Sequence, residues 1–142
     1  MVNLFDKQCQ EANHFIKDLA MQLGTPEDID HAVRVLRYVF RALRRRLVPD
    51  ESLHIVSQLP LILKGIYVDG WNIYEPLSEA KTFDEFLYDI RNNERKADVD
   101  FTNYDLAKKK ISAVFNALKK IISGGELDHF RDELPKELAE MV

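Results

Sequence analysis

From one end of the chain to the other, the apolar residues fall at helical spacing. Between Asn3 and Leu23 they stand at Phe5, Cys9, Ala12, Ile16, Leu19 and Leu23, a 4-3-4-3-4 spacing that lines one face of a helix. Asn3 is placed to cap that helix and Gly24 to end it. Cys9, inside the stripe, reads as a small buried hydrophobe. Thr25-Pro-Glu-Asp28 reads as the next helix start, with Thr as cap, Pro at the first position and acids where the helix dipole favours them. That second helix runs to about Leu47, with Ile29, Val33, Leu36, Phe40, Leu43 and Leu47 as its core stripe. Pro49 suits the first turn of a third helix bearing Leu53, Val56 and Leu59. Pro60 either kinks that helix or opens a fourth, with Ile62, Leu63 and Ile66 inward. Asp69-Gly70 marks a turn, followed by a connecting loop or a small hairpin through Ile73-Tyr74.

The plan is then repeated. Shifted by 75 positions, Ala32 to Leu63 overlays Ala107 to Leu138 without a gap, and ten of 32 places are identical: Ala32/Ala107, Val39/Val114, Phe40/Phe115, Ala42/Ala117, Leu43/Leu118, Glu51/Glu126, His54/His129, Leu59/Leu134, Pro60/Pro135 and Leu63/Leu138. Self-similarity at a fixed offset predicts repeated supersecondary units. Thr82-Phe-Asp-Glu85 and Ser123-Gly-Gly-Glu126 are capping boxes that open helices of the second half. Thr102 or Asn103 caps the counterpart of the second helix, and the last helix carries Leu127, Phe130, Leu134 and Leu138 to the chain end. The polar stretch between Asn92 and Tyr104 belongs at the surface. The expected fold is all-α: one helical-bundle domain over 1–142, of six to eight helices in two pseudo-symmetric repeats, about 3–68 and 82–142, joined by a connector over about 69–81.

Composition agrees with one soluble domain: 142 residues, 46% hydrophobic and 31% charged, with five Gly and five Pro. No apolar run reaches the ~20 residues a bilayer requires, and the start lacks the basic and apolar regions of a signal peptide, so the expected location is the cytoplasm. A single cysteine permits neither an internal disulfide nor a cysteine zinc site. The net charge of −4 conceals a separation: Ala32 to Leu47 holds six Arg and no acid, whereas Glu75 to Asp100 holds eight acids against four bases.

The run Arg37-Tyr-Val-Phe-Arg-Ala-Leu-Arg-Arg-Arg-Leu47, followed by Glu51, Ser57-Gln-Leu-Pro60 and Lys64-Gly-Ile-Tyr-Val-Asp-Gly-Trp71, resembles the bacterial DUF2267 family, a domain of unknown function. The basic helix, the acidic start, the Gln-Leu-Pro and the Tyr-x-x-Gly-Trp carry the likeness. It implies an all-helical fold and no particular catalytic residue.

Two constellations carry chemistry. Glu51-x-x-His54 and Glu126-x-x-His129 put a Glu/His pair on one helix face in equivalent places of the two halves, the spacing by which ferritin-like bundles hold metal ions. Against a metal site, Glu126 completes a capping box, Glu51 lies in a first turn, and the two histidines read as packing across a pseudo-twofold axis. The second constellation is an arginine ridge, Arg34, Arg37, Arg41, Arg44 and Arg45 with Arg46, whose usual fate is an ion-paired solvated surface and which is otherwise suited to an acidic protein partner or to an anionic ligand such as nucleic acid or a lipid headgroup. A pI near 5.6 and the lack of aromatics among the basic residues argue against nucleic acid. Tyr67 and Trp71 add a second candidate contact surface. No nucleophile elbow or phosphate-cradling glycine loop is present. The expectation is therefore a non-enzymatic interaction or regulatory module that binds a protein partner or itself, without cofactor. The alternatives are a metal-binding protein or metal-dependent enzyme using Glu51, His54, Glu126 and His129, and an anion-binding ridge.

Overall fold

A computed structural model describes residues 3–142, and among them every regular element is helical. In chain order these are α1 (Leu4–Gln22), α2 (Ile29–Arg46), α3 (Pro49–Ser57), α4 (Leu61–Val68), α5 (Phe83–Asn93), α6 (Ala97–Asp100), α7 (Tyr104–Lys119), α8 (Gly124–Glu133) and α9 (Lys136–Ala139). No helix among them is long and apolar enough to cross a membrane.

The ends of these helices follow local chemistry. Asn3 accepts from the amide of Asp6 at 2.9 Å, and Gly24 closes α1 at φ +80°, a conformation glycine adopts without the Cβ clash. Asn103 caps α7 through the Leu106 amide and Thr82 caps α5 through the Glu85 amide. Pro60 does not kink α3: it stands at the N-cap of a separate α4, as Pro135 does for α9. A proline ring clashes with the preceding turn of a continuing helix but fits ahead of a new one.

Nine helices stand among the described residues where six to eight are expected, because α6 forms and the last helix breaks at Pro135 into α8 and α9, and further expectations are corrected. α2 starts at Ile29, because Thr25 to Asp28 is a turn closed by the Asp28 amide on the Thr25 carbonyl, and the Asp28 carboxylate caps through the His31 amide. Ser123 makes no side-chain capping bond. The stretch between Asn92 and Tyr104 is not only surface: it folds into α6 and buries Ala97, Asp100 and Phe101.

α2 lies at the centre. Ala32, Val35, Leu36, Val39, Phe40, Ala42 and Leu43 are each fully enclosed, and α1, α3, α4, α5, α6 and α7 all pack against it. α7 supplies the facing wall with Ala107, Ile111, Val114, Phe115 and Leu118. Phe40 meets Tyr67 of α4 at a ring separation of 5.0 Å, and Phe115 meets Phe130 of α8 at 6.1 Å. Seven of the ten matched pairs are buried on both sides: the Ala32, Val39, Phe40, Ala42, Leu43, Leu59 and Leu63 pairs.

α1 behaves differently along its length. Its C-terminal half buries Phe15, Ile16, Leu19 and Ala20, while Phe5 is 82% exposed and Cys9 is exposed too, contrary to the buried role expected of both. The stripe is continuous in sequence but runs past the bundle in space. A Phe115→Ala substitution is accordingly expected to cost about 3–5 kcal/mol, whereas Phe5→Ala should stay within roughly 0.5 kcal/mol of the parent. Urea denaturation of the two variants checks both, and a Phe115→Ala midpoint equal to the parent's would remove α7 from the core.

Candidate functional site

The arginine ridge projects from α2 towards segments that follow it in the chain, and those segments consume it. Arg34 meets the Asp100 carboxylate at 3.1 Å through Nε and 3.0 Å through a terminal nitrogen, a bidentate pair. Arg41 grips Glu94 at the end of α5 at 3.1 Å and 3.3 Å. Arg44 donates to the carbonyls of Tyr67 at 2.9 Å and Asp69 at 2.7 Å, where the C-terminus of α4 leaves acceptors unfilled and favours positive charge. Arg46 donates to the Ala80 carbonyl, and the Arg45 carbonyl accepts from the Ser78 amide. The guanidinium of Arg45 is partly buried, with Nε and one terminal nitrogen enclosed and unbonded, and burial pulls its pKa down. Arg37 alone of the ridge faces solvent.

Asp100 is the tightest point of this network. It is 4% exposed and accepts from Arg34 and from the Tyr38 hydroxyl, with His31 Nδ1 at 3.4 Å. Lys110 donates to its backbone carbonyl. Burial by itself would raise the Asp100 pKa, but the bonds from Arg34 and Tyr38 and the charge of Arg34 outweigh it and hold the carboxyl below its ordinary value. Burial raises the Tyr38 hydroxyl and lowers His31, whose Nε2 is enclosed without a partner.

The paired Glu-x-x-His motifs do meet, along the facing sides of α3 and α8. The imidazoles of His54 and His129 lie 4.2 Å apart, centre to centre, tilted by 48°. His54 Nε2 bonds Glu126 at 2.8 Å, and His129 Nε2 bonds Glu133, one turn further along α8, at 2.9 Å. Glu126 thereby links α8 to α3 rather than completing a capping box. Burial, with the nearby charge of Glu51, raises the Glu133 carboxyl, and one of its oxygens is enclosed without a donor. Each imidazole is held by a carboxylate, and among the described residues no three His, Cys, Asp or Glu side chains converge as ligands to a metal ion.

The Tyr67–Trp71 surface divides. Tyr67 is fully enclosed, its hydroxyl 2.7 Å from Ser52 Oγ, so its side chain is not part of the exposed surface. Trp71 packs edge-on against it at 6.1 Å and is half-buried. Arg34, Arg41 and Arg44 are likewise bonded inside the fold, Arg34 and Arg41 as the ion pairs that are the usual fate of such a basic run.

A different surface is left open. Between α1, α2 and α4 lies a groove of about 250 Å³ lined by Cys9, Ala12, Ile29, Val33, Ile62 and Ile66 over deeper core residues, with no charged side chain in its lining. α4 reads Leu61-Ile-Leu-Lys-Gly-Ile-Tyr-Val68, apolar nearly all round, yet only Leu63 and Tyr67 are buried, and Leu61 is 56% exposed. A helix apolar on every side is expected to be covered on every side. That hydrophobicity was the available signal for the groove; Asp100, Tyr38 and Glu133 carried none.

Asp100 has a pKa depressed below its unfolded value, so its stabilisation is complete above the ordinary carboxylate range and is lost as pH falls through the folded value. Asp100→Ala, which also strands Arg34 and Tyr38, is expected to cost about 3 kcal/mol at neutral pH and to flatten the acid limb of the stability profile. Urea titrations at a series of pH values measure both, and an unchanged acid limb would show that Asp100 carries no such linkage.

No curated protein matches the chain. The sequence profile of an uncharacterised conserved protein family matches residues 12–141, a span that takes in the arginine network, the histidine seam and most of the groove. The chain therefore belongs to the DUF2267 family.

Proposed function

We propose that the protein is a non-enzymatic interaction module of the cytoplasm that engages another protein chain, or a copy of itself, through the apolar groove between α1, α2 and α4. The observation that carries this reading is the uncharged lining of that groove beside an exposed, almost wholly apolar α4. Apolar faces of this kind on a water-facing surface mark sites of protein association. Arg37, one turn beyond the groove residue Val33 on α2 and open to solvent, is the ridge residue left free to meet an acidic group. The groove is smaller than the usual small-molecule site, and it holds no acid, base or nucleophile for a reaction beyond the thiol of Cys9. The same reading takes 3–68 and 82–142 as two copies of one helical plan, supported by the seven pairs buried on both sides.

The metal-dependent alternative, through Glu51, His54, Glu126 and His129, draws support from the meeting of the two histidines, but their outward nitrogens are already bonded to carboxylates. Anion binding by the ridge would have to break the bonds of Arg34, Arg41 and Arg44.

Cys9 lines the groove and is the chain's sole cysteine, which gives a direct test. A photoreactive benzophenone attached to its thiol is expected to form covalent adducts with another chain in native cell extract, and Ile62→Asp, at an exposed position, should abolish them while Arg37→Glu weakens them severalfold. Absence of any adduct, or adducts indifferent to Ile62→Asp, would refute the groove as the contact surface.

A further inference from the structure

Resting on that reading, the occupant of the groove can be named from the chain's own features. The lining has no charge to offer, so a charged occupant would be desolvated without a partner. At about 250 Å³ the space suits one or two apolar side chains. One such side chain stands unburied on the same face: Phe5, 82% exposed, lies one helical turn from Cys9 on the stripe that continues through Ala12 into the groove. A surface that carries both a projecting ring and the hollow for it meets the requirement of a two-fold interface, in which each copy gives to the other what it receives.

We infer that two copies of this chain pair through this face, α1 against α1 in antiparallel fashion, with the phenyl ring of Phe5 from each copy seated in the groove of the other. Antiparallel helices set their dipoles in opposition, which favours the arrangement. Seating Phe5 over the Cys9 to Ala12 turn of the second copy puts the crossing point near Cys9, so the two thiols face each other close to the axis. Phe5 and the groove residue Ile62 are exposed beside the hollow, and Leu61 and Val68 add bare apolar surface on the neighbouring side of α4. Gly65, on the outer side of α4 with open space around its Cα, allows close approach there.

Light scattering coupled to size exclusion, over a concentration series, tests this on the full chain. The expected result is a dimer for the parent protein and for Tyr88→Asp, an exposed residue on α5 away from the groove, and a monomer for Phe5→Asp and for Ile62→Asp. Phe5 lies outside the core of the single chain, so Phe5→Asp should keep the parent's circular dichroism, and its melting temperature should lose the concentration dependence that dimerisation gives the parent's. Mild oxidation is expected to give a covalent dimer through Cys9 in the parent and at least a tenfold slower yield in Phe5→Asp. A parent that is monomeric at every concentration, or a dimer that survives both groove substitutions, overturns self-pairing. Should the parent be monomeric while the Cys9 photoadduct joins it to a different protein, self-pairing fails and the interaction reading stands.

Discussion

A helix with six arginines and a single acid at its start cannot be enclosed unless other segments answer its charge. That constraint on α2 governs the architecture. Its apolar residues sit in the middle of the bundle, where burial favours them, while its guanidinium groups must keep hydrogen-bonding partners as water is removed. The partners come from three places: the carboxylates of Glu94 and Asp100, the carbonyls at the end of α4, and the carbonyl of Ala80 in the connector. Each bond also fixes the segment that supplies it, so a solvation requirement becomes the device that ties the connector and α6 to the centre. Part of the separation of basic and acidic residues along the chain is thus balanced within the molecule, through Arg34 with Asp100 and Arg41 with Glu94.

The histidine seam does a related job at the edge of the fold. α8 reaches the body of the molecule through Phe130 in the core and through the His54–Glu126 bond at the surface. Two imidazoles in contact, each with its own carboxylate, form a compact polar joint between α3 and α8. Burial, with the nearby charge of Glu51, raises the Glu133 carboxyl at this joint. Beside these polar contacts, part of the exposed surface is apolar. The bare end of α1 and the outer side of α4 have the hydrophobicity of core and the exposure of surface, and association is the ordinary physical resolution of that mismatch.

Helical spacing, proline and glycine punctuation and the duplicated pattern were enough to determine, from residues alone, an all-helical fold with Phe40 and Phe115 at its centre, because hydrophobic period is a local property that burial enforces. The meeting of His54 and His129 was legible too, through their equivalent places in the overlay. Tertiary structure alone decided the rest. Asp100 lies 66 residues from Arg34, and nothing local distinguishes it from the neighbouring acids Asp98 and Glu94. Phe5 and Cys9 obey the same spacing as Ile16 and Leu19, yet α1 outruns the helices beneath it. Periodicity records which face of a helix is apolar; whether another element covers that face, and which charge meets which, depends on distances between segments far apart in the chain.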